Sequence, residues 1–378
     1  MKFTTKCVHG SDKRYDTTGA VSVPIFQTAT FTHPGVEQST GFDYSRLQNP
    51  TREYLECTIA NLEEGVDAMA FSTGMAATAT LMELFKPGDH IIASDDLYGG
   101  SIRLFQHISA KNGIEITMLD TGDTQALQQA INPKTKAMFI ETPTNPMMQV
   151  TDIAAVSKIA QLNNLLLIVD NTFLTPYLQR PLTLGADIVI HSGTKYLGGH
   201  NDTLAGMLVV KSEEVAEQLR FIYKTTGACL SPFDSWLIIR GIKTLAIRMK
   251  QQEVTTHKIV DWMQSQPKIK NVYYCGLPSH AGYEISKRQA SGFGSMISFE
   301  VDSEATARNA LEKIKLISFA ESLGGVESLM TYPYLQTHAD VPQKQREAKG
   351  INERLLRLSV GLEDADDLIA DIANALSC

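Results

Sequence analysis

The sequence predicts an α/β protein built on a mostly parallel sheet with helices on both faces. Three observations predict it. Short, near-continuous apolar runs recur between residues 68 and 210. Stretches with helical spacing lie between most of them. Several runs end abruptly in polar, chemistry-bearing residues. Strands buried on both faces read as unbroken apolar runs. Sheets of this kind bind ligands beyond the carboxyl ends of their strands.

Taken in order, residues 52–64 carry Leu55, Ile59 and Leu62 at helical spacing. Strands are expected at 68–71 (AMAF), 90–93 (HIIA), 115–119 (EITML), 136–140 (KAMFI), 165–169 (LLLIV), 187–190 (DIVI) and 206–210 (GMLVV). GMAATATLMELF, SIRLFQHISAKNG, TQALQQAI and IAAVSKIAQLNN are expected to be helical. One long helical stretch is expected over 233–264. Beyond it, 272–275 (VYYC), 295–301 (SMISFEV) and 354–361 (RLLRLSVG) read as strands. ATARNALEKI and DADDLIADIANAL read as amphipathic helices, so this region is α+β. Residues 1–50 lack periodicity and carry turn formers at Gly10, Gly19, Pro24, Pro34, Gly41 and Pro50. They read as an irregular arm that must pack on something, such as a neighbouring subunit. The organisation expected is an arm (1–50), a large domain (51–245) and a smaller C-terminal domain (246–378).

Composition narrows the function. The chain has 378 residues, 43% of them hydrophobic and 20% charged, which is globular rather than disordered. The net charge of −8 lacks the basic excess of a nucleic-acid binder. No apolar run approaches the roughly 20 residues that cross a bilayer. The opening MKFTTKCVHG has no apolar stretch of a secretory leader, so a cytoplasmic location is expected. Cys7, Cys57, Cys229, Cys275 and Cys378 are scattered and odd in number, which disfavours a disulfide framework or a zinc ribbon.

The chemistry is concentrated where the apolar runs stop. KAMFI runs into Glu141-Thr-Pro-Thr-Asn145-Pro, LLLIV into Asp170-Asn171-Thr172, and DIVI into His191-Ser192-Gly193-Thr194-Lys195. Lys195 reads either as a surface-loop lysine or as an amine poised for Schiff-base chemistry, which requires a pKa depressed by partial burial. The small residues and hydroxyls of SGTKYLGGH favour the second. Asp170 reads as a turn former or as a carboxylate held at a pyridinium nitrogen, keeping that ring an electron sink. Ser72-Thr73-Gly74-Met75 opens a helix, which is either an ordinary N-cap or a phosphate site. Tyr98 beside two glycines is a turn residue or stacks on a flat ring. The histidines show no HxxxH or HExxH spacing, so no metal site is expected, and no GxSxG, P-loop or GxGxxG precedes a helix.

With those residues in place, FDYSRLQNPTR, FSTGMAA, DLYGG, ETPTNP, VDNTF, HSGTKYLGGH, AESLGGVESL and LLRLSVGLED together resemble the cysteine/methionine-metabolism family of pyridoxal-5′-phosphate enzymes. The resemblance runs from about residue 5 to the C-terminus. It implies PLP fold type I, similar to aspartate aminotransferase, with a seven-stranded sheet between helices and a smaller α+β domain. It implies pyridoxal 5′-phosphate as cofactor, with Lys195 as Schiff-base lysine and proton shuttle. Asp170 would hold the pyridine nitrogen, and Tyr98 would stack on the ring and serve as a base. Gly74, Met75, Ser192 and Thr194 would hold the phosphate, and Asn145 the 3′-oxygen side. Tyr44 and Arg46 would reach the phosphate of a neighbouring subunit. Arg357 would take the substrate α-carboxylate, with Ser322 nearby. Small amino-acid substrates and a homotetramer with sites shared across a dimer follow from the same resemblance.

Within the family, Glu321 is placed to bind the distal amino group of cysteine or cystathionine, and Arg103 a distal carboxylate. Each also reads as an ordinary exposed residue. Several segments look closest to bacterial cystathionine γ-synthases, which points to γ-replacement on an activated homoserine ester. Cystathionine γ-lyase, O-acetylhomoserine sulfhydrylase and a catalytically silent cofactor-binding protein are the alternatives.

Overall fold

The computed structural model describes residues 1–13, 15–339, 341 and 343–377; Cys378 lies outside them. The first sheet comprises β1 (Asp67–Phe71), β2 (His90–Ser94), β3 (Glu115–Leu119), β4 (Thr135–Glu141), β5 (Leu166–Asp170), β6 (Ile188–Ser192) and β7 (Gly206–Val210). Its order is β1-β7-β6-β5-β4-β2-β3. β7 is antiparallel to β1 and β6, and the other pairings are parallel.

Every one of these strands coincides with an expected apolar run, for a local reason. Successive side chains point to opposite faces, and both faces are buried except on the edge strand β3, where Glu115 and Thr117 are exposed. Met138, Ile140, Leu167, Val169 and Val189 enter one core with Leu55 and Ile59 of the helix Pro50–Glu63. Phe139, Ile168, Ile188 and Ile190 enter the other with Leu81 of the helix Gly74–Met82 and Leu219 of the helix Glu213–Thr226. By the same alternation Glu141, Asp170 and Ser192 continue the second face at the strands' carboxyl ends.

A second sheet comprises β8 (Ile269–Tyr273), β9 (Met296–Val301), β10 (Ser318–Phe319), β11 (Leu329–Thr331) and β12 (Leu355–Ser359), ordered β10-β11-β12-β9-β8. It packs on the helices Glu304–Lys313 and Ala365–Leu376 through Ile297, Phe299, Leu356, Leu358, Ala307, Leu368 and Ile372.

Four expectations need correction. The stretch 233–264 is two helices, Pro232–Ile242 and Leu245–Met263. The Gly241 carbonyl accepts from Thr244 N, Thr244 Oγ1 and Arg248 Nη2, which closes the first helix and diverts the chain. The arm is not wholly irregular. Phe3–His9 is a short helix that ends at Gly10 (φ 65°) and buries Cys7. The helix Glu213–Thr226 was not anticipated, although Ser212 caps it, Glu213 and Glu214 fill its first turn and Gly227 ends it in the left-handed region. Finally, Tyr274 and Cys275 lie past the end of β8, where Tyr274 is buried with its hydroxyl on the Gly294 carbonyl.

Candidate active site

The carboxyl ends of β4, β5 and β6 open onto a cleft of about 320 Å³, lined also by Arg357 of β12 and by residues 321–323 of the loop between β10 and β11. Gly74, Met75, Tyr98, Asn145, Asp170, Ser192, Thr194, Lys195, Glu321, Ser322 and Arg357 all line it. Residues distant in sequence meet here because a doubly wound sheet gathers its strand ends at one edge.

One end of the cleft is a helix N-terminus. Thr73 caps the helix Gly74–Met82, its hydroxyl accepting from Ala76 N at 2.9 Å. A Cβ on Gly74 would stand 3.2 Å from Ser192 Cβ, so the absent side chain lets the helix start abut the end of β6. Free N–H groups at this start suit an anion. The Thr194 hydroxyl is bound to Ala205 backbone, accepting from N at 3.0 Å, which pins the turn that carries Lys195. The buried Arg248 guanidinium holds the same turn, donating to the Tyr196 carbonyl at 2.8 Å.

Lys195 Nζ donates to Ser322 Oγ at 2.8 Å. Burial and, less strongly, the Arg357 charge lower its pKa to about 8, with Glu321 opposing both. A useful fraction of this amine is therefore neutral near neutral pH. Asp170 Oδ1 accepts from Thr172 N at 3.0 Å and Thr172 Oγ1 at 2.6 Å. Burial raises its pKa, and the Thr172 donors oppose the rise.

Tyr98 is 43% exposed at the cleft mouth, and its N–H donates to Glu141 Oε2 at 3.0 Å. The two glycines after it are required: a Cβ on Gly99 would strike the Thr337 carbonyl, and one on Gly100 the Tyr98 ring.

Arg357, on β12, is buried. It donates from Nη1 to Asn145 Oδ1 at 2.7 Å and from Nη2 to the Ser322 carbonyl and Thr331 Oγ1, each at 3.0 Å. Its Nε is buried without a partner, and all three acceptors are neutral. Burial lowers its pKa to about 10. A buried guanidinium with no carboxylate partner among the described residues is suited to an anionic ligand.

Three expected residues are not in the cleft. Tyr44 is 44% exposed on the arm, and Arg46 lies over its ring at 5.7 Å while donating to the Lys224 carbonyl. Arg103 is exposed on the helix Gly99–Arg103 and does not line the cleft. Conversely, Phe173, Leu204 and Thr337 line it without having been singled out, and Glu141, noted only as a strand-ending acid, lines it too. Glu141 carried a signal, since it closes a buried strand as Asp170 does. Leu204 and Thr337 carried none, being loop residues of unremarkable type.

These groups fit pyridoxal 5′-phosphate. The helix start and Ser192 could hold its phosphate, Lys195 its aldehyde carbon, and Asp170 its ring nitrogen. A family model for Cys/Met metabolism PLP-dependent enzymes matches residues 4–377.

The chain belongs to that family.

Pyridoxal 5′-phosphate is accordingly its cofactor. The chain is 48% identical over 376 residues to a cystathionine γ-lyase of Bacillus subtilis (strain 168), covering 100% of this chain and 99% of the relative. It is 48% identical over 372 residues to a cystathionine β-lyase of Lactococcus lactis subsp. lactis (strain IL1403), covering 98% of each. It is 49% identical over 368 residues to a cystathionine γ-synthase of Haemophilus influenzae (strain ATCC 51907 / DSM 11121 / KW20 / Rd), covering 97% of this chain and 95% of the relative. The crystal structure of cystathionine γ-lyase from Lactobacillus plantarum complexed with L-serine superposes with a TM-score of 0.98 at 44% identity, covering 100% of this chain and 99% of that one. The chain is thus a PLP-dependent trans-sulfuration enzyme.

Proposed function

We propose that this family member catalyses γ-replacement: an O-acylhomoserine and cysteine give cystathionine and the free carboxylic acid. The observation that carries the reading is the placement of Glu321 in the cleft with Lys195 and Arg357, near enough for its charge to act on both. Arg357 binds the substrate α-carboxylate. Tyr98 covers the cofactor ring and takes the proton of the incoming ammonium. The cofactor, when bound, supplies a sink for the negative charge that develops at Cα. Lys195 removes the Cα proton and then moves protons between Cα and Cβ. The Cγ–O bond breaks, the acyl carboxylate leaves, and the cysteine sulfur bonds to Cγ as its thiol proton is released. Glu321 binds the ammonium of that cysteine, orienting its sulfur.

A second reading is γ-elimination of cystathionine to cysteine, 2-oxobutanoate and ammonia. The likeness to the Lactobacillus plantarum γ-lyase favours it. Product analysis separates the two. The purified enzyme is given O-acetyl- or O-succinylhomoserine with cysteine, and in parallel cystathionine alone. Faster formation of cystathionine from the esters supports γ-replacement; faster release of 2-oxobutanoate from cystathionine replaces it with the lyase reading.

We also propose an arm (1–50), a cofactor domain (51–245) and a small domain (246–378), assembled as a homotetramer of dimers. Tyr44 and Arg46 would complete the partner's phosphate site. Their position outside this chain's own cleft supports this, as does the apolar surface of the arm, where Val21 and Val36 are 90% and 93% exposed.

A further inference from the structure

Glu141 ends β4 and stands in register with Asp170 at the end of β5. Paired residues on neighbouring strands share a face about 5 Å apart, so two carboxyl groups lie side by side in the cleft wall. Glu141 is only 6% exposed. The two are not equally supported. Asp170 receives an amide and a hydroxyl from Thr172 at 3.0 and 2.6 Å. Glu141 receives the Tyr98 amide at 3.0 Å, with the Asn145 amide nearby. Neither makes an ion pair among the described residues.

We infer that Glu141 and Asp170 form an acid pair carrying one negative charge, held at Asp170, and that protonated Glu141 is a positioning residue whose carboxyl holds Tyr98 over the cofactor. The inference rests on Asp170 facing the ring nitrogen. One negative charge then opposes one pyridinium charge, and the other cation whose field reaches Glu141, Arg357, is the one assigned to the substrate carboxylate.

The surrounding charges support this. Asp96, from the loop after β2, adds a second nearby acid. Arg357 is the cation on the facing sheet, and its Nη groups are held by Asn145, Ser322 and Thr331 rather than by Glu141. His338, from the segment after β11, is held to about 4 by burial and by Arg357, so it is neutral. Lys195 is bonded to Ser322, and the His191 ring is bonded to Glu63 on the other face. Burial pushes the Glu141 carboxyl well above the usual carboxylate range, and Asp170 pushes it further. Like-charged carboxyls sharing a dry site separate in this way, one keeping its proton.

The test uses the holoenzyme and three variants, Glu141→Gln, Glu141→Ala and Asp170→Asn. Infrared difference spectra of wild type minus E141Q at neutral pH should show the carbonyl stretch of a protonated carboxyl. The pH midpoint of the visible cofactor band should be unmoved in E141Q, which replaces one neutral acceptor by another. E141A leaves the Tyr98 amide without its acceptor and should loosen cofactor binding roughly tenfold or more. Absence of the protonated-carboxyl band, or a midpoint that E141Q shifts as far as D170N does, overturns the inference. A D170N enzyme with an unchanged visible band would instead overturn the ring-nitrogen assignment, and the infrared band would still decide the state of Glu141.

Discussion

Arg357 Nη1 reaches Asn145 Oδ1 at 2.7 Å, joining β12 of the second sheet to the loop after β4 of the first. The group assigned to the substrate carboxylate and the group assigned to the cofactor's 3′-oxygen side are therefore one hydrogen-bonded unit. Replacing the guanidinium with an ammonium keeps a charge but loses the planar fork. Arg357→Lys should reduce kcat/KM for the amino-acid substrate by about 10- to 100-fold, mainly through KM. Steady-state kinetics check it, and an unchanged KM would remove Arg357 from the carboxylate site.

Lys195→Ala should abolish turnover and the visible band that depends on this lysine. Undiminished turnover would sink the assignment. The wild-type amine has a second signature. Its pKa is lowered from 10.5 to about 8, so the neutral, nucleophilic form grows in as pH rises through about 8. The rate at which apoenzyme takes up cofactor should climb through that range. A climb centred near 10 would mean an amine that water still solvates.

Arg46→Ala should weaken cofactor retention if the arm completes a partner's phosphate site. Mixed oligomers of Arg46→Ala and Lys195→Ala subunits should recover part of the activity, because one site of each mixed dimer then holds both residues. Confirmed subunit exchange without recovery would place each site within a single chain.

Glu321→Ala should reduce kcat/KM for cysteine more than for sulfide, which has no ammonium to bind. Glu321 remains exposed to solvent, so the loss belongs at the low end of a charged hydrogen bond, ~1.5 kcal/mol or roughly tenfold. Comparing the two nucleophiles in wild type and variant checks this. Equal losses would make Glu321 a structural residue and remove the main support for cystathionine formation.

The inner strands of the first sheet were legible because burial on both faces leaves a local, unbroken apolar mark, as in Leu166–Asp170 and Ile188–Ser192. The polar residues closing those strands were legible for the same reason: Asp170 and Lys195 stand out against the apolar runs before them. The helix Glu213–Thr226 also carries its signal in the sequence, with a cap at Ser212, an acidic first turn and a terminal glycine.

What the sequence alone determined is most of the succession of strands and helices, through periodicity, and the PLP-dependent family, through contiguous motifs that resemble it; it also named many of the residues that line the cleft. The tertiary structure alone decided which distant residues share the cleft. It brought Thr337 and Leu204 into the wall, left Arg103 outside it, and broke the 233–264 helix where the Gly241 carbonyl takes a buried bond from Arg248. It also set Glu141 beside Asp170 through strand register, so that two acids about 29 residues apart compete for one charge. Such pairings depend on which strands become neighbours, and that is decided by the packing of the whole sheet rather than by any local run of residues.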